Sequence, residues 1–250
     1  MTGSGFVDII STGSAPLYGY LAVPAGAGPW PGVVLVHEAF GLDDAMRAHA
    51  DRLAAMGLLT LGVDLFSAGG AARCLVSTMV AAVRGKGRAF TDIEAARRYL
   101  AGSADCTGRI GVIGFCLGGG FALLTAGRGF DAASVNYGML PKDLDGAMSG
   151  ACPIVGSYGG DDRTLKGAAA RLEQALVQAG IEHDVKEYPG ASHSFLNDTA
   201  NGPALLRPLL RVSGIGPDPQ AAADAWARIE AFFGAHLGDA APTKTPQAGS

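Results

Sequence analysis

The strongest constraint on this 250-residue chain is its rhythm. Short apolar runs alternate with longer stretches whose apolar residues return every three or four positions. Gly32–Val36, Leu58–Val63, Ser134–Tyr137 and Ile154–Tyr158 are nearly continuous apolar runs, as strands buried on both faces require. Arg109–Ile113 reads as another strand, Tyr18–Val23 as an early one stopped at Pro24, and Glu182–Tyr188 as a late one. Between them lie helical patterns. Asp43 and Asp44 offer an N-cap to a helix carrying Met46, Ala50, Leu53 and Ala54 on one face and ending at Gly57,. Thr91–Glu94 fits a capping box ahead of Ile93, Ala96 and Leu100,. A helical run follows Gly120, and Leu165–Ala179 and Ala221–His236 complete the series. Such alternation predicts an α/β fold: a mostly parallel central sheet with helices on both faces.

Composition narrows the function. Lys and Arg number 19 against 23 Asp and Glu, a net charge of −4. That balance argues against a nucleic-acid or anionic-membrane partner. Hydrophobic residues at 48% and charged residues at 17% supply a core and exclude global disorder,. The 38 glycines show no three-residue period, which excludes a collagen-like chain,. Cys74, Cys106, Cys116 and Cys152 are too sparse for a disulfide scaffold, and none has metal-ligand spacing,. The N-terminus lacks the basic and apolar regions of a signal peptide, and no apolar run approaches the roughly 20 residues that span a bilayer,. A cytoplasmic protein is expected. No linker divides the chain, so residues 1–238 are expected to form one domain. The Ala-, Pro- and Thr-rich tail 239–250 is expected to be disordered,.

The chemistry centres on Gly114-Phe115-Cys116-Leu117-Gly118, placed between a strand and a helix. This is the G-x-S-x-G nucleophile-elbow pattern with cysteine replacing serine. A sharp strand-to-helix turn strains the nucleophile's backbone, and glycine two residues to either side avoids clashes. The helix N-terminus then aims its dipole and free N–H groups at the sulfur, which favours the thiolate. A buried, inert cysteine beside a glycine-rich helix start is the bland alternative.

Downstream partners favour catalysis. The strand Ile154–Tyr158 runs into Gly159-Gly160-Asp161-Asp162, and the next strand into a loop bearing His193. Parallel strands bring their carboxyl ends to one sheet edge, so these loops should meet Cys116. An acid, either Asp161 or Asp162, would orient His193, and His193 would take the thiol proton. The strand Gly32–Val36 ends in His37-Glu38-Ala39-Phe40-Gly41. This loop should supply one oxyanion-hole amide and Leu117 the other.

The segments His37–Leu42, Ala50–Ala54, Val63–Phe66, GFCLGGG, GGDD and SHSF together resemble the dienelactone hydrolase family, over roughly residues 15 to 237. The resemblance implies an α/β-hydrolase fold, a Cys-His-Asp triad and no metal or organic cofactor. It matches Cys116 to the nucleophile, His193 to the base and, through a G-x-x-D motif, Asp162 to the acid. Glu38 matches a glutamate that holds the thiol in a resting state, and Ala39 and Leu117 match the oxyanion-hole amides. Phe40, Tyr137 and Phe195 are candidate pocket residues. The implied activity is cleavage of a small-molecule ester or lactone through an acyl-enzyme, by a monomer or small homo-oligomer. The alternatives are a general carboxylesterase or thioesterase on the same triad, or a non-catalytic ligand-binding or thiol-sensing protein of this fold.

Members that open dienelactone hold its carboxylate with two arginines. Here one of those places reads Ser67-Ala68-Gly69, with Arg73 nearest. The other reads Ser194-Phe195-Leu196-Asn197, with Arg207 and Arg211 further on. Losing a charge partner removes much selectivity for a carboxylate. The segment 197–220, with Leu205, Leu206, Leu209 and Leu210, reads as a lid or pocket wall,. Cys74, Cys106 and Cys152 read as packing thiols, and His49, His183 and His236 as surface groups. His37 reads as a structural hydrogen-bonding group, and Arg84, Lys86 and Arg88 as a solvated basic loop.

Overall fold

The computed structural model describes residues 3–11, 15–198 and 216–238. Eight strands form one sheet: β1 (Gly5–Asp8), β2 (Tyr18–Ala22), β3 (Trp30–Val36), β4 (Leu59–Val63), β5 (Cys106–Phe115), β6 (Ala132–Asn136), β7 (Ile154–Gly159) and β8 (His183–Tyr188). Their order is β1-β2-β4-β3-β5-β6-β7-β8. The first two strands run antiparallel to their neighbours, and the other six are mutually parallel. The central strands β4 and β6 are buried at every residue, which is why their sequences show no alternation.

The described helices are α1 (Asp44–Ala55), α2 (Ala71–Arg84), α3 (Arg88–Ala101), α4 (Leu117–Thr125), α5 (Leu144–Met148), α6 (Ala168–Ala179) and α7 (Pro219–Leu237). Strand register shows that they cover both faces. Val33 pairs with Gly111, whose Cα faces Phe233 and Leu237 of α7. The preceding residue, Gly32, faces Leu100 of α3. Adjacent strand residues point to opposite faces, so α3 and α7 lie on opposite sides of the sheet.

The caps explain several boundaries. Asp43 accepts from the Met46 amide and starts α1. Asp218 accepts from Gln220 and Ala221, and Pro219 opens α7, as helix starts favour,. Helix α3 begins three residues before the expected capping box. Arg88 pairs with buried Asp92 one turn on, Nε to Oδ2 at 3.0 Å, so Thr91 falls inside the helix. Glu94 there holds Arg97 through two bonds of 2.8 Å. Helix α6 begins at Ala168, because Leu165–Gly167 form a turn whose Leu165 amide bonds the Asp162 carbonyl. Strand β1 and helices α2 and α5 are not among the elements expected from the sequence. In α2 the apolar Val76, Met79, Val80 and Val83 are exposed. Among the described residues no helix is long and apolar enough to cross a membrane. The segment 199–215 and the tail 239–250 lie outside the described residues.

Candidate active site

The six parallel strands end at one edge, and the loops after β3, β5, β6, β7 and β8 carry the candidate site residues. Strand β5 ends at Phe115, and Cys116 caps α4 with φ 53° and ψ −114°. Packing enforces this turn. A methyl group on Gly114 would overlap the Gly118 carbonyl, and one on Gly118 would overlap the Val36 carbonyl. Glycine at both positions is therefore a steric requirement of the elbow and of the close approach of β3. Leu117 is the first helical residue of α4, so its N–H has no intrahelical acceptor,.

The loop after β7 carries both aspartates, and the structure separates them. Asp161 is exposed. Asp162 is buried, and its Oδ2 accepts from His193 Nδ1 at 2.5 Å. Its Oδ1 accepts from the Thr164 amide at 2.9 Å and the Thr164 hydroxyl at 2.6 Å. Burial alone would raise this carboxyl's pKa, but the bonds from His193 and Thr164 hold it below the usual carboxylate value,. The two loops are also tied by backbone. The Gly160 amide bonds the Tyr188 carbonyl at 2.8 Å, and the Asp161 amide bonds the Ala191 carbonyl at 2.9 Å.

Asp162 holds Nδ1 of His193 and leaves Nε2 over, and Cys116 lies close enough to act on the ring. Burial would lower this imidazole's pKa. Asp162 and Cys116 outweigh it and push the value up to about 10, so the ring is an imidazolium when the sulfur is a thiolate.

The loop after β3 places Glu38 in the same cluster. Glu38 is buried. Its Oε1 accepts from Ser194 Oγ and from Asn197 Nδ2, each at 3.2 Å. His37 locks this loop from behind. Its Nδ1 donates to the Glu38 carbonyl at 2.6 Å, and its Nε2 accepts from the Leu65 amide at 3.0 Å. Burial lowers its pKa and keeps it neutral, as the accepting Nε2 demands. Ala39 and Phe40 follow in a turn closed by the Gly41 amide on the Glu38 carbonyl, at 3.2 Å; both are partly exposed.

Tyr137, at the end of β6, is fully buried. Its ring tilts against His193 at 5.1 Å between centroids and meets Phe195 edge-on at 5.7 Å. Its hydroxyl has no hydrogen-bond partner in ordinary geometry. Burial, with Glu38 and Cys116 close enough to act on it, pushes its pKa well above the usual phenol value. Phe195 is also fully buried, packed between Tyr137 and Tyr188. Among the described residues, Cys116, Tyr137 (φ 40°) and Ser194 (φ 62°) are the only non-glycine residues with left-handed backbone. All three lie here, and each such conformation costs about 1–3 kcal/mol.

A model of the dienelactone hydrolase family matches residues 17–237. The chain belongs to the dienelactone hydrolase family. Membership makes it a hydrolase of ester or lactone bonds, with a small-molecule substrate. It is 30% identical over 229 residues to the carboxymethylenebutenolidase of Rhodococcus opacus, covering 87% of this chain and 86% of that protein. Among solved structures it is similar to the dienelactone-hydrolase-like promiscuous phosphotriesterase P91 from metagenomic libraries. That match has a TM-score of 0.77, 25% identity, and coverage of 94% of this chain and 100% of the other. The dienelactone hydrolase of Anabaena variabilis, at 22% identity and a TM-score of 0.67, shares the fold over 94% of this chain and 98% of its own.

Two residues of this dienelactone hydrolase relative's site differ from what its sequence led one to expect. His49 is buried rather than on the surface. Its Nε2 donates to Asn197 Oδ1 at 2.7 Å, and its ring stacks on Phe115 at 4.7 Å and meets Trp226 at 5.1 Å. Burial, with help from Arg52, outweighs Asn197 and Asp198 and lowers its pKa to about 4. The signal was available: His49 falls three residues after Met46 and four before Leu53, on the apolar stripe of α1,. Thr164, the second support of Asp162, carried no signal beyond its place two residues after an aspartate. Arg73 is exposed on the first turn of α2. Arg207 and Arg211 lie outside the described residues, as do the leucines of the expected lid.

Proposed function

We propose that the chain hydrolyses esters or lactones by covalent catalysis at Cys116. The observation that carries this is the His193–Asp162 bond, with Cys116 close enough to act on the same ring. His193 takes the thiol proton, and the sulfur attacks the substrate carbonyl carbon. The oxyanion is held by the amides of Ala39 and Leu117. As the intermediate collapses, His193 returns its proton to the leaving alkoxide, giving a thioester. His193 then takes a proton from water, whose oxygen attacks the thioester and releases the acid and Cys116. Asp162 holds the imidazole in the required tautomer throughout. Phe40 and Tyr137 border the reacting centre, with Phe195 supporting Tyr137.

The acyl group favoured by this site is uncharged. The stretch after His193 reads Ser194-Phe195-Leu196-Asn197 with no arginine, and the Asn197 amide is held by His49 and Glu38. The chemistry suits esters with good leaving groups, because a thioester forms readily but an amide leaves poorly.

The test is intact-protein mass spectrometry after mixing with p-nitrophenyl acetate, with turnover followed in parallel. The expected result is a transient acetyl adduct on Cys116, absent in Cys116→Ala, with turnover lost in Cys116→Ala and His193→Ala. Turnover that survives in Cys116→Ala would overturn the reading. A thiol that reacts with iodoacetamide but accepts no acyl group from a panel of esters and lactones would instead indicate a thiol-sensing protein.

A further inference from the structure

The buried His49 has no place in the steps above, yet it is hydrogen-bonded into the site. It lies on α1, and a chain of bonds runs from it to the loop after β3. His49 Nε2 donates to Asn197 Oδ1 at 2.7 Å, and Asn197 Nδ2 donates to Glu38 Oε1 at 3.2 Å. All three side chains are buried. We propose that His49 is a positioning residue for Glu38: its Nε2–H fixes the Asn197 amide with the donor end on the carboxylate that shares Tyr137 with Cys116.

The argument is one of polarity. An asparagine amide has a donor end and an acceptor end, and turning it over exchanges them. Toward a carboxylate only the donor end is attractive. Were His49 to present a bare Nε2, the amide would gain by turning its NH2 toward the ring, which would set Oδ1 against Glu38. A protonated Nε2 forbids this. His49 is itself held by ring stacking between Phe115 and Trp226. Phe115 immediately precedes Cys116, so the same ring braces both the elbow strand and the Glu38 arm.

The effect reaches Cys116 through charge. Cys116 acts on His193 from the loop after β8, with Asp162 behind it, and on Tyr137 from the end of β6; Glu38 from the loop after β3 acts on the same Tyr137, so the carboxylate and the sulfur share one neighbour. His49 itself is faced by Asp198 and Arg52. A Glu38 deprived of the Asn197 donor binds a proton more readily. Less negative charge then stands beside the sulfur, and the thiolate forms at lower pH.

The proposal rests on the cysteine-nucleophile reading, but its test needs only the thiol. The rate of Cys116 alkylation by iodoacetamide is measured against pH in the full chain. Glu38→Gln should move the acid limb to lower pH, raising the rate there about tenfold, the equivalent of one pH unit. His49→Phe keeps the ring stack and removes the donor, and should move it the same way by about threefold, as should Asn197→Ala. The double variant should move it no further than either single one. His49→Gln, which restores an N–H donor, should return the profile to that of the wild type.

A His49→Phe profile superimposed on the wild type would overturn the proposal. So would a His49→Phe shift that persists in full on the Asn197→Ala background, since a merely structural role would act independently of Asn197. Should His49→Phe fail to fold, His49→Gln and Asn197→Ala decide by the same criterion: the first must keep the wild-type profile and the second must shift it. Absence of an acyl adduct would sink the covalent mechanism at Cys116 and leave this result standing.

Discussion

Two imidazoles, the buried His49 and the partly buried His193, are each hydrogen-bonded to one short Asx side chain, and their protonation goes opposite ways. His193 donates to the carboxylate of Asp162, faces Cys116, and has its pKa pushed up to about 10. His49 donates to the amide of Asn197 and is pushed down to about 4. Burial acts in the same direction on both, against the charged ring. The difference is the partner. An amide oxygen repays little of the lost hydration, whereas a carboxylate and a thiol repay more than all of it. Burial therefore makes a histidine a fixed neutral donor by default, and a carboxylate turns the same ring into a proton carrier.

The sharpest way to break this comparison is to remove each ring. His193→Phe should lower kcat/KM for an activated ester by about 10⁴-fold, whereas His49→Phe should cost less than about tenfold. Equal losses would show that both rings move protons. A subtler break makes the two sites alike. Asp162→Asn gives His193 an amide partner, as His49 has, and should lower kcat/KM by about 10³-fold with little change in KM. Activity within tenfold of the wild type would mean that the carboxylate does not set the behaviour of His193.

The elbow was legible in the sequence because sterics leave no latitude: Gly114 and Gly118 have no room for a side chain, so the pattern cannot drift. The parallel core was legible for a similar reason, since strands buried on both faces must be apolar throughout. What escaped was long-range pairing. Nothing local says that Asn197 meets a histidine 148 positions away in the chain. His49 was misread despite lying on the apolar stripe of α1, because a histidine there is usually solvated. Helix α2 was missed although Val76, Met79, Val80 and Val83 recur at helical spacing, and that stripe is exposed rather than turned to the core. Choosing Asp162 over Asp161 needed the G-x-x-D resemblance, which the 2.5 Å contact supports.

The two histidines should also leave opposite marks on stability. His49 is neutral when folded down to about pH 4, and an unfolded histidine protonates near 6.5,. The unfolded chain thus binds the extra proton between those values, and stability falls as pH falls through that window. The full loss is about 3 kcal/mol at 1.36 kcal/mol per pH unit. Urea unfolding of His49→Phe should show a pH dependence flatter by that amount between pH 6.5 and 4. His193 has the other sign. Its stabilisation is complete below 6.5 and is lost as pH rises toward about 10,. A wild type whose stability is level between pH 6.5 and 4 would contradict a neutral His49.

The smallest effect tests what supports the carboxylate. Asp162 takes two bonds from Thr164, one from its amide and one from its hydroxyl. Thr164→Val keeps the shape and the amide but deletes the hydroxyl. A net hydrogen bond to a charged group is worth about 1.5 kcal/mol, and only part of it concerns the geometry at His193. The variant should therefore lose about threefold to tenfold in kcat/KM, and Thr164→Ser should lose almost nothing. The loss should also vanish on an Asp162→Asn background, because the hydroxyl acts only through that carboxylate. A Thr164→Val effect of the same size on both backgrounds would mean that the hydroxyl stabilises the loop rather than the acid. The contrast between His193 and His49 would then rest on the first bond to the ring alone.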